Sequence, residues 1–238
     1  MSGALTFERL GDSALIVRFG TGIDPATNAR VHEAAARIAM VELPGIRDLV
    51  PGYVSLGVHY DWEHWSGDQR CLAYERVRDV LHDVLTHDDL QIDATPQVVD
   101  IPVCYGGAHG ADLAELAQRA GLSEHEVIAR HAAADYRVAM LGFAPGFPYL
   151  LGLDPALATP RRATPRTRVP PGAVAIGGAQ TAVYPRELPG GWNLIGRTPL
   201  VLFDLERSPP ALLAPGDVVR FRAITPAEFD TLFTKKKE

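Results

Sequence analysis

Residues 141–199 read LGFAPGFPYLLGLDPALATPRRATPRTRVPPGAVAIGGAQTAVYPRELPGGWNLIGRTP, a run crowded with proline, glycine, aromatic residues and arginine. Proline fixes the backbone one residue at a time and glycine frees it, so such a run specifies rigid loops that display side chains. Inside it, AVAIGGAQTAVY (173–184) holds two β-prone stretches joined around Gly177-Gly178, the pattern of a hairpin. Pro189-Gly190-Gly191 then launches WNLI. YRVAMLGF (136–143) precedes the run as a buried strand, and LVLFDL (200–205) and VVRFRAI (218–224) follow it. Short strands separated by turn signals close most simply as a small β-barrel with one or two helices.

Charge marks the same region. Between Arg137 and Leu200 lie seven arginines (Arg137, Arg161, Arg162, Arg166, Arg168, Arg186, Arg197) against Asp154 and Glu187, a net charge of +5 in a chain of net −6. This asymmetry points to a local anion site and argues against a nucleic-acid partner. The alternative reading is that these arginines solvate loops or pair with acids elsewhere.

Upstream, LTFERL and SALIVRF flank Gly11-Asp12 as a hairpin, Asp24-Pro25 is an N-cap followed by a first-turn proline, and Val31, Ala35 and Ile38 continue an apolar stripe. IRDLVP and YVSLGVHY read as two more strands. Ser66 with Gln69 resembles a capping box before a helix carrying Tyr74, Val77, Leu81, Val84 and Leu85. The fold class expected is therefore α+β: an N-terminal ββαββα sandwich over 1–94, a barrel domain over 95–225, and a short helix with a tail over 226–238. Two helices, 111–120 and one opened by the Ser123/Glu126 capping box, should lie between VVDIPVCY and YRVAMLGF.

Several chemistries are excluded or disfavoured. Every lysine, Lys235 to Lys237, lies in the tail, so no phosphate-loop or Schiff-base lysine is available. No serine occurs between Ser123 and Ser208. His59, His64, His82 and His87 with Asp61, Asp83, Asp88 and Asp89 lack metal-ligand spacing; His82 and His87 are five apart and face different ways on a helix, so no metal is expected. Cys71 and Cys104 read as inert thiols. No apolar run reaches the roughly 18 residues of a membrane span and no secretory signal is visible, which makes cytoplasm the default. Guanidinium forks that match carboxylate or phosphate remain, with Gln180, Tyr184, Trp192 and Asn193 as neutral partners. Phe143, Phe147, Tyr149 and Leu150, interrupted by Pro145 and Pro148, form either a partner surface or a plug for one end of the barrel.

On long strings the sequence resembles the B-subunit proteins of 5-oxoprolinase, also called KipI-like or allophanate hydrolase subunit 1. They are GDSALIVRFG, LVPGYVSLGVHYD, IPVCYGGAHGADLAELA, MLGFAPGFPYLLGLD, ATPRRATPRTRVPPGAVAIGGAQTAVYP and PGGWNLIGRTPLVLFD, spread over nearly the whole chain. Ala108-His109 departs from the family pattern, which has an acidic then an aromatic residue there. The resemblance implies a cyclophilin-like barrel, a companion C subunit (KipA-like) of related fold, and a separate A subunit. Together these open 5-oxo-L-proline to L-glutamate at the expense of ATP, with ATP needed by the complex, no cofactor assigned to this chain, and no turnover by this chain alone. On that basis Arg161, Arg162 and Arg166 are expected to bind substrate, and Gln180 and Tyr184 to act catalytically by orienting the amide or its phosphorylated adduct. Arg197 is read either as part of that set or as pairing with Glu187 or Asp204. Two other functions accompany the resemblance: a KipI-type inhibitor of a sensor histidine kinase, and half of a urea-carboxylase-like carboxyl-transferring domain.

Overall fold

Alternation along the strands decides what each face of the fold buries. In the computed structural model, which describes residues 5–67, 72–86 and 96–234, the chain divides into two units, Met1–Thr95 and Pro96–Glu238. The Ser66–Gln69 pattern is cut by this limit, and Cys71, His87, Asp88, Asp89, residues 93–94 and Lys235 to Lys237 lie outside the described residues.

The first unit runs β1 (Thr6–Arg9), β2 (Ala14–Arg18), α1 (Pro25–Val41), β3 (Ile46–Pro51), β4 (Ser55–Tyr60), α2 (Trp62–Trp65) and α3 (Ala73–Thr86), one four-residue helix more than the sequence pattern gives. Its sheet is antiparallel in the order β1-β2-β4-β3. Asp24 caps α1 by accepting from the Thr27 N–H at 2.8 Å, and the helix stops where Glu42 turns left-handed at φ 46°. Leu15, Val17, Leu56 and Val58 pack with Val31, Ala34 and Ile38 of α1 and with Val77 and Leu81 of α3. Each buried leucine, isoleucine or valine there contributes about 1.5–3 kcal/mol.

The second unit contains β5 (Val98–Tyr105), α4 (Leu113–Ala120), α5 (Glu124–Ala133), β6 (Asp135–Leu141), β7 (Pro148–Leu151), β8 (Arg166–Val169), β9 (Ala173–Gly177), β10 (Gln180–Val183), β11 (Leu188–Gly190), β12 (Asn193–Arg197), β13 (Val218–Ala223) and α6 (Pro226–Thr234). Seven strands close a barrel in the order β10-β7-β6-β13-β5-β12-β9, parallel only between β13 and β5. All seven send alternate residues into one cluster, among them Ile101, Val138, Leu150, Val174, Val183, Ile195 and Phe221, and this cluster is the barrel interior. The hairpin read around Gly177-Gly178 is present as β9–β10, with Gln180 opposite Gly177. The capping box at Ser123 is also present, the Glu126 N–H donating to the Ser123 hydroxyl while the Glu126 carboxylate accepts from the Ser123 N–H.

One expectation needs correction. LVLFDL is not a strand: only an isolated bridge joins Phe203 to Ala211, because the Asp204 N–H turns back to the Pro210 carbonyl and the flanking prolines cannot sustain a ladder. The short helix expected after the barrel is present as α6, and its Phe229 is buried with Cys104 and Ile224. His109, in the departing Ala108-His109 pair, lies 4.4 Å ring to ring from that same Phe229.

A buried polar chain stiffens the interior. His131 of α5 has no exposed surface and stacks on Phe221 at 4.6 Å. The Thr181 hydroxyl donates to the Ala175 carbonyl at 3.1 Å, so it accepts from His131 Nε2–H at 3.0 Å, which leaves Nδ1 to accept from the Tyr105 hydroxyl at 2.8 Å. Burial depresses the His131 pKa to about 3, and the ring is neutral.

Candidate functional site

The outer face of the barrel wall is built differently from the inner one. On β9 and β10 the inward residues are Val174, Ile176, Thr181 and Val183, whereas Ala173, Ala175 and Ala182, with Tyr184 just past the end of β10, point out into a second apolar cluster. Alanines on that face leave room for the aromatic residues of the surrounding loops. The Trp192 indole lies against the backbone of Gly177, where a Cβ would sit 2.5 Å from the ring. The Tyr184 hydroxyl likewise occupies the space a Cβ on Gly190 would take, at 2.2 Å. These glycines are required by close approach.

A tight turn brings in the remaining aromatics. The Ala144 N–H donates to the Gly142 carbonyl at 2.8 Å, closing a γ-turn whose centre, Phe143, has φ 68°. Such a turn is strained for a residue with a side chain, and here it holds Phe143 60% exposed at the rim. Phe147 is buried at the centre, edge-on to Tyr184 at 5.2 Å, Trp192 at 6.1 Å and Tyr149 at 5.0 Å. The result is a cleft of about 310 Å³ walled by Phe143, Phe147, Tyr149, Tyr184 and Trp192 on one side and by Arg161, Arg162, Pro165 and Pro189 to Gly191 on the other.

The arginines divide into two kinds. Asp112, buried at the start of α4, accepts from Arg162 Nη1 at 2.8 Å, from Arg166 Nη1 and Nη2 at 2.8 and 2.7 Å, and from the Leu194 N–H at 2.7 Å. Its carboxylate is thus saturated from two segments remote in sequence, the 162–166 stretch and β12. The backbone beside it is pinned as well: the Arg162 N–H donates to the Gly191 carbonyl at 2.7 Å, and Asn193 Nδ2 donates to the Pro160 carbonyl at 3.0 Å. Arg161 stands between these anchors with its guanidinium 5.4 Å from the Trp192 ring centre, a cation–π contact, and among the described residues no carboxylate lies within ion-pair distance of it. Burial raises the Tyr184 pKa while nearby Arg161 pulls it back, so the phenol stays protonated near neutral pH and serves as a hydrogen-bonding group instead of a base.

Of the residues singled out from sequence, the structure gathers Arg161, Arg162, Tyr184, Phe143, Phe147 and Tyr149 at one cleft. Arg166 is not a free anion binder, because both of its Nη atoms donate to Asp112; Arg162 gives Asp112 its Nη1 alone, and its Nε is buried without a hydrogen-bond partner. Gln180 is not among the residues lining the cleft; it shares a face with Tyr184 but lies four residues away along an extended run, about 13 Å. Leu150 is no part of a partner surface, since it points into the barrel with no exposure, and Phe147 at 2% exposure supports the cleft instead of offering a surface. Arg197 pairs with neither Glu187 nor Asp204: its Nε donates to the Pro171 carbonyl at 2.8 Å and its guanidinium lies over Phe229 and Phe233. Glu187 faces Arg168 at 3.7 Å. Sequence reasoning misses Asp112, whose only signal is one acid inside GGAHGADL, a loop that ends at a helix start.

With this geometry in view, comparison with known proteins defines the class. Residues 5–213 match the family described as carboxyltransferase domain, subdomain C and D. The chain is 43% identical to the B subunit of 5-oxoprolinase from Bacillus subtilis over 225 residues, 93% of this chain and 94% of that protein. It is 40% identical to the B subunit of 5-oxoprolinase from Escherichia coli O157:H7 over 212 residues, 89% of this chain and 93% of that protein. The crystal structure of TTHA0988 superposes with a TM-score of 0.74 at 40% identity over 89% of this chain, which spans only 40% of the length of TTHA0988. The chain belongs to the family of 5-oxoprolinase B subunits.

Proposed function

We propose that this chain works as the B subunit of an ATP-dependent 5-oxoprolinase, an amidohydrolase that converts 5-oxo-L-proline to L-glutamate together with an A subunit and a KipA-like C subunit. The observation that carries the reading is near full-length similarity, 43% over 93% of this chain, to a protein of that name. The cleft supports it. A substrate with one carboxylate on a compact ring fits a guanidinium that has no ion pair among the described residues and stands beside aromatic walls. In this reading Arg161 takes the carboxylate, the protonated Tyr184 hydroxyl and the Trp192 face position the ring, and Arg162, Arg166 and Asp112 hold Arg161 in place. Phe143 is the part of the aromatic set offered to a neighbouring subunit.

The chain is inactive alone, and the nucleotide is held wholly or partly by the other subunits; a cleft of about 310 Å³ is small for one. The barrel is of the cyclophilin-like kind and the assembly is cytoplasmic; no helix among the described residues is long and apolar enough to cross a membrane. The test is ATP-dependent glutamate release from 5-oxo-L-proline by this chain mixed with candidate A and C subunits, each omitted in turn. Activity only in the complete mixture is expected. Activity unaffected by leaving this chain out removes the reading. The description of the matched family favours one second reading, carboxyl transfer; dependence of turnover on a biotin-carrying protein in place of the A subunit would select it.

A further inference from the structure

The sheet of the first unit ends in an edge with a groove beside it. β3 bonds to β4 on one side, and among the described residues no strand lies on its other side. Alternate residues of an antiparallel strand turn their N–H and C=O toward the neighbour and away from it. The Gly52 N–H donates to the Ser55 carbonyl, so by alternation Val50 and Asp48 face β4 while Leu49 and Pro51 face away. In keeping with this, the Leu49 N–H donates to the Asp48 side chain at 2.9 Å. Along this edge the last turn of α1 and the loop after it close a groove of about 320 Å³ with apolar walls of Ile38, Leu43, Ile46 and Leu49. Its charge is one-sided. Glu42 and Asp48 line it without an ion pair among the described residues, whereas Arg47 is engaged by Asp61. The last turn of α1 holds no basic residue, so the negative end of the helix dipole adds to the two carboxylates.

We propose that this groove takes an extended segment of another protein, which adds to β3 as a further strand of the sheet. The segment places an apolar side chain between α1 and β3, and a lysine or arginine beside Glu42 and Asp48. The main chain supplies the ladder: Leu49 offers N–H and C=O, and Pro51, which has no N–H, offers C=O alone. The cation does two things. It neutralises Glu42 at the helix end, and it draws the Asp48 carboxylate off the Leu49 N–H, which then bonds to the incoming strand. Without the cation that carboxylate caps the edge, as charged side chains and prolines do where a sheet must not pair indiscriminately. A second copy of this chain does not fit. In a two-fold contact the same patch meets itself, which would bring the two acidic pairs together. The inference is independent of the cleft in the second unit and of its substrate.

The experiment titrates the full chain with short peptides, acetylated and amidated at their ends, and follows the backbone amide resonances. One peptide alternates valine with lysine and one alternates valine with glutamate. Two further valine–lysine peptides carry backbone N-methyl groups, one on its odd residues and the other on its even residues. The valine–lysine peptide should bind saturably, with a dissociation constant of about 1 mM or tighter, and shift the amides of residues 46–50 most. The valine–glutamate peptide should bind about tenfold or more weaker. One N-methylated peptide should lose binding and the other keep it, because alternate amides of an added strand face the sheet. That readout needs no change to the protein. Glu42→Gln combined with Asp48→Asn should weaken the valine–lysine peptide about tenfold. Absence of saturable binding, equal affinity for the two charge patterns, an equal effect of the two methylation patterns, or shifts centred away from β3 overturns the proposal. So does an unchanged affinity in the double variant, or dimerisation of the free chain that perturbs the β3 amides.

Discussion

Strands β9 and β10 carry two different environments on their two faces. Inward they present Val174, Ile176 and Val183 to a closed apolar interior shared by all seven barrel strands; outward they present Ala173, Ala175 and Ala182 to a bed of aromatic rings and a cleft lined by arginines. The inner face is closed by hydrophobic burial and by polar groups that satisfy one another, as His131, Tyr105 and Thr181 do. The outer face is closed by one carboxylate, Asp112, and leaves Arg161 without an ion pair among the described residues. The difference teaches a division of labour: damage to the inner face should unfold the barrel, and damage to the outer face should spoil binding while the barrel stands.

The sharpest way to break the comparison is Leu150→Ala, which opens a cavity at a position with no exposure and should cost about 3–5 kcal/mol in chemical denaturation. Asp112→Ala is next. It leaves two guanidiniums and the Leu194 N–H without their acceptor, and should cost about 2–3 kcal/mol, below the full penalty of a broken buried pair because Arg162 and Arg166 are 32% and 26% exposed.

His131 gives a third test through pH. Its folded pKa is about 3 against an ordinary value of 6.5, so the unfolded chain binds a proton that the folded one does not as pH falls below 6.5. Stability is therefore full above that value and falls by about 1.4 kcal/mol per pH unit beneath it, or about 2 kcal/mol between pH 6.5 and 5. His131→Gln should remove this slope, and an unchanged slope in that variant would deny the inner face its neutral histidine. The smallest stability effect belongs to Arg161→Gln, expected within about 0.5 kcal/mol of wild type because the residue is exposed and makes no ion pair among the described residues. A larger loss would show that the outer face holds the fold together as the inner one does.

What is legible in the sequence follows the range of the forces involved. The β9–β10 turn, the Asp24-Pro25 helix start and the Ser123/Glu126 capping box are local, and each is where its residues place it. Leu150 defeats the expectation of a partner surface although its neighbours hold the signal: in an extended run Tyr149 and Leu150 must face opposite ways, so treating them as one surface ignores the period of two. The ranking of the arginines is out of reach, because their partner Asp112 lies 50 and 54 residues away and only barrel closure brings it to them. Likewise nothing local announces the β8–β11 ribbon or the parallel pairing of β5 with β13 across more than a hundred residues.

The most direct test of the central claim, that Arg161 on the outer face is the substrate-binding charge, is kcat/KM for 5-oxo-L-proline in the reconstituted three-subunit assembly, wild type against Arg161→Gln at matched thermal stability. A fall of about tenfold or more, carried mainly by KM, is expected. A value within about threefold of wild type would contradict it.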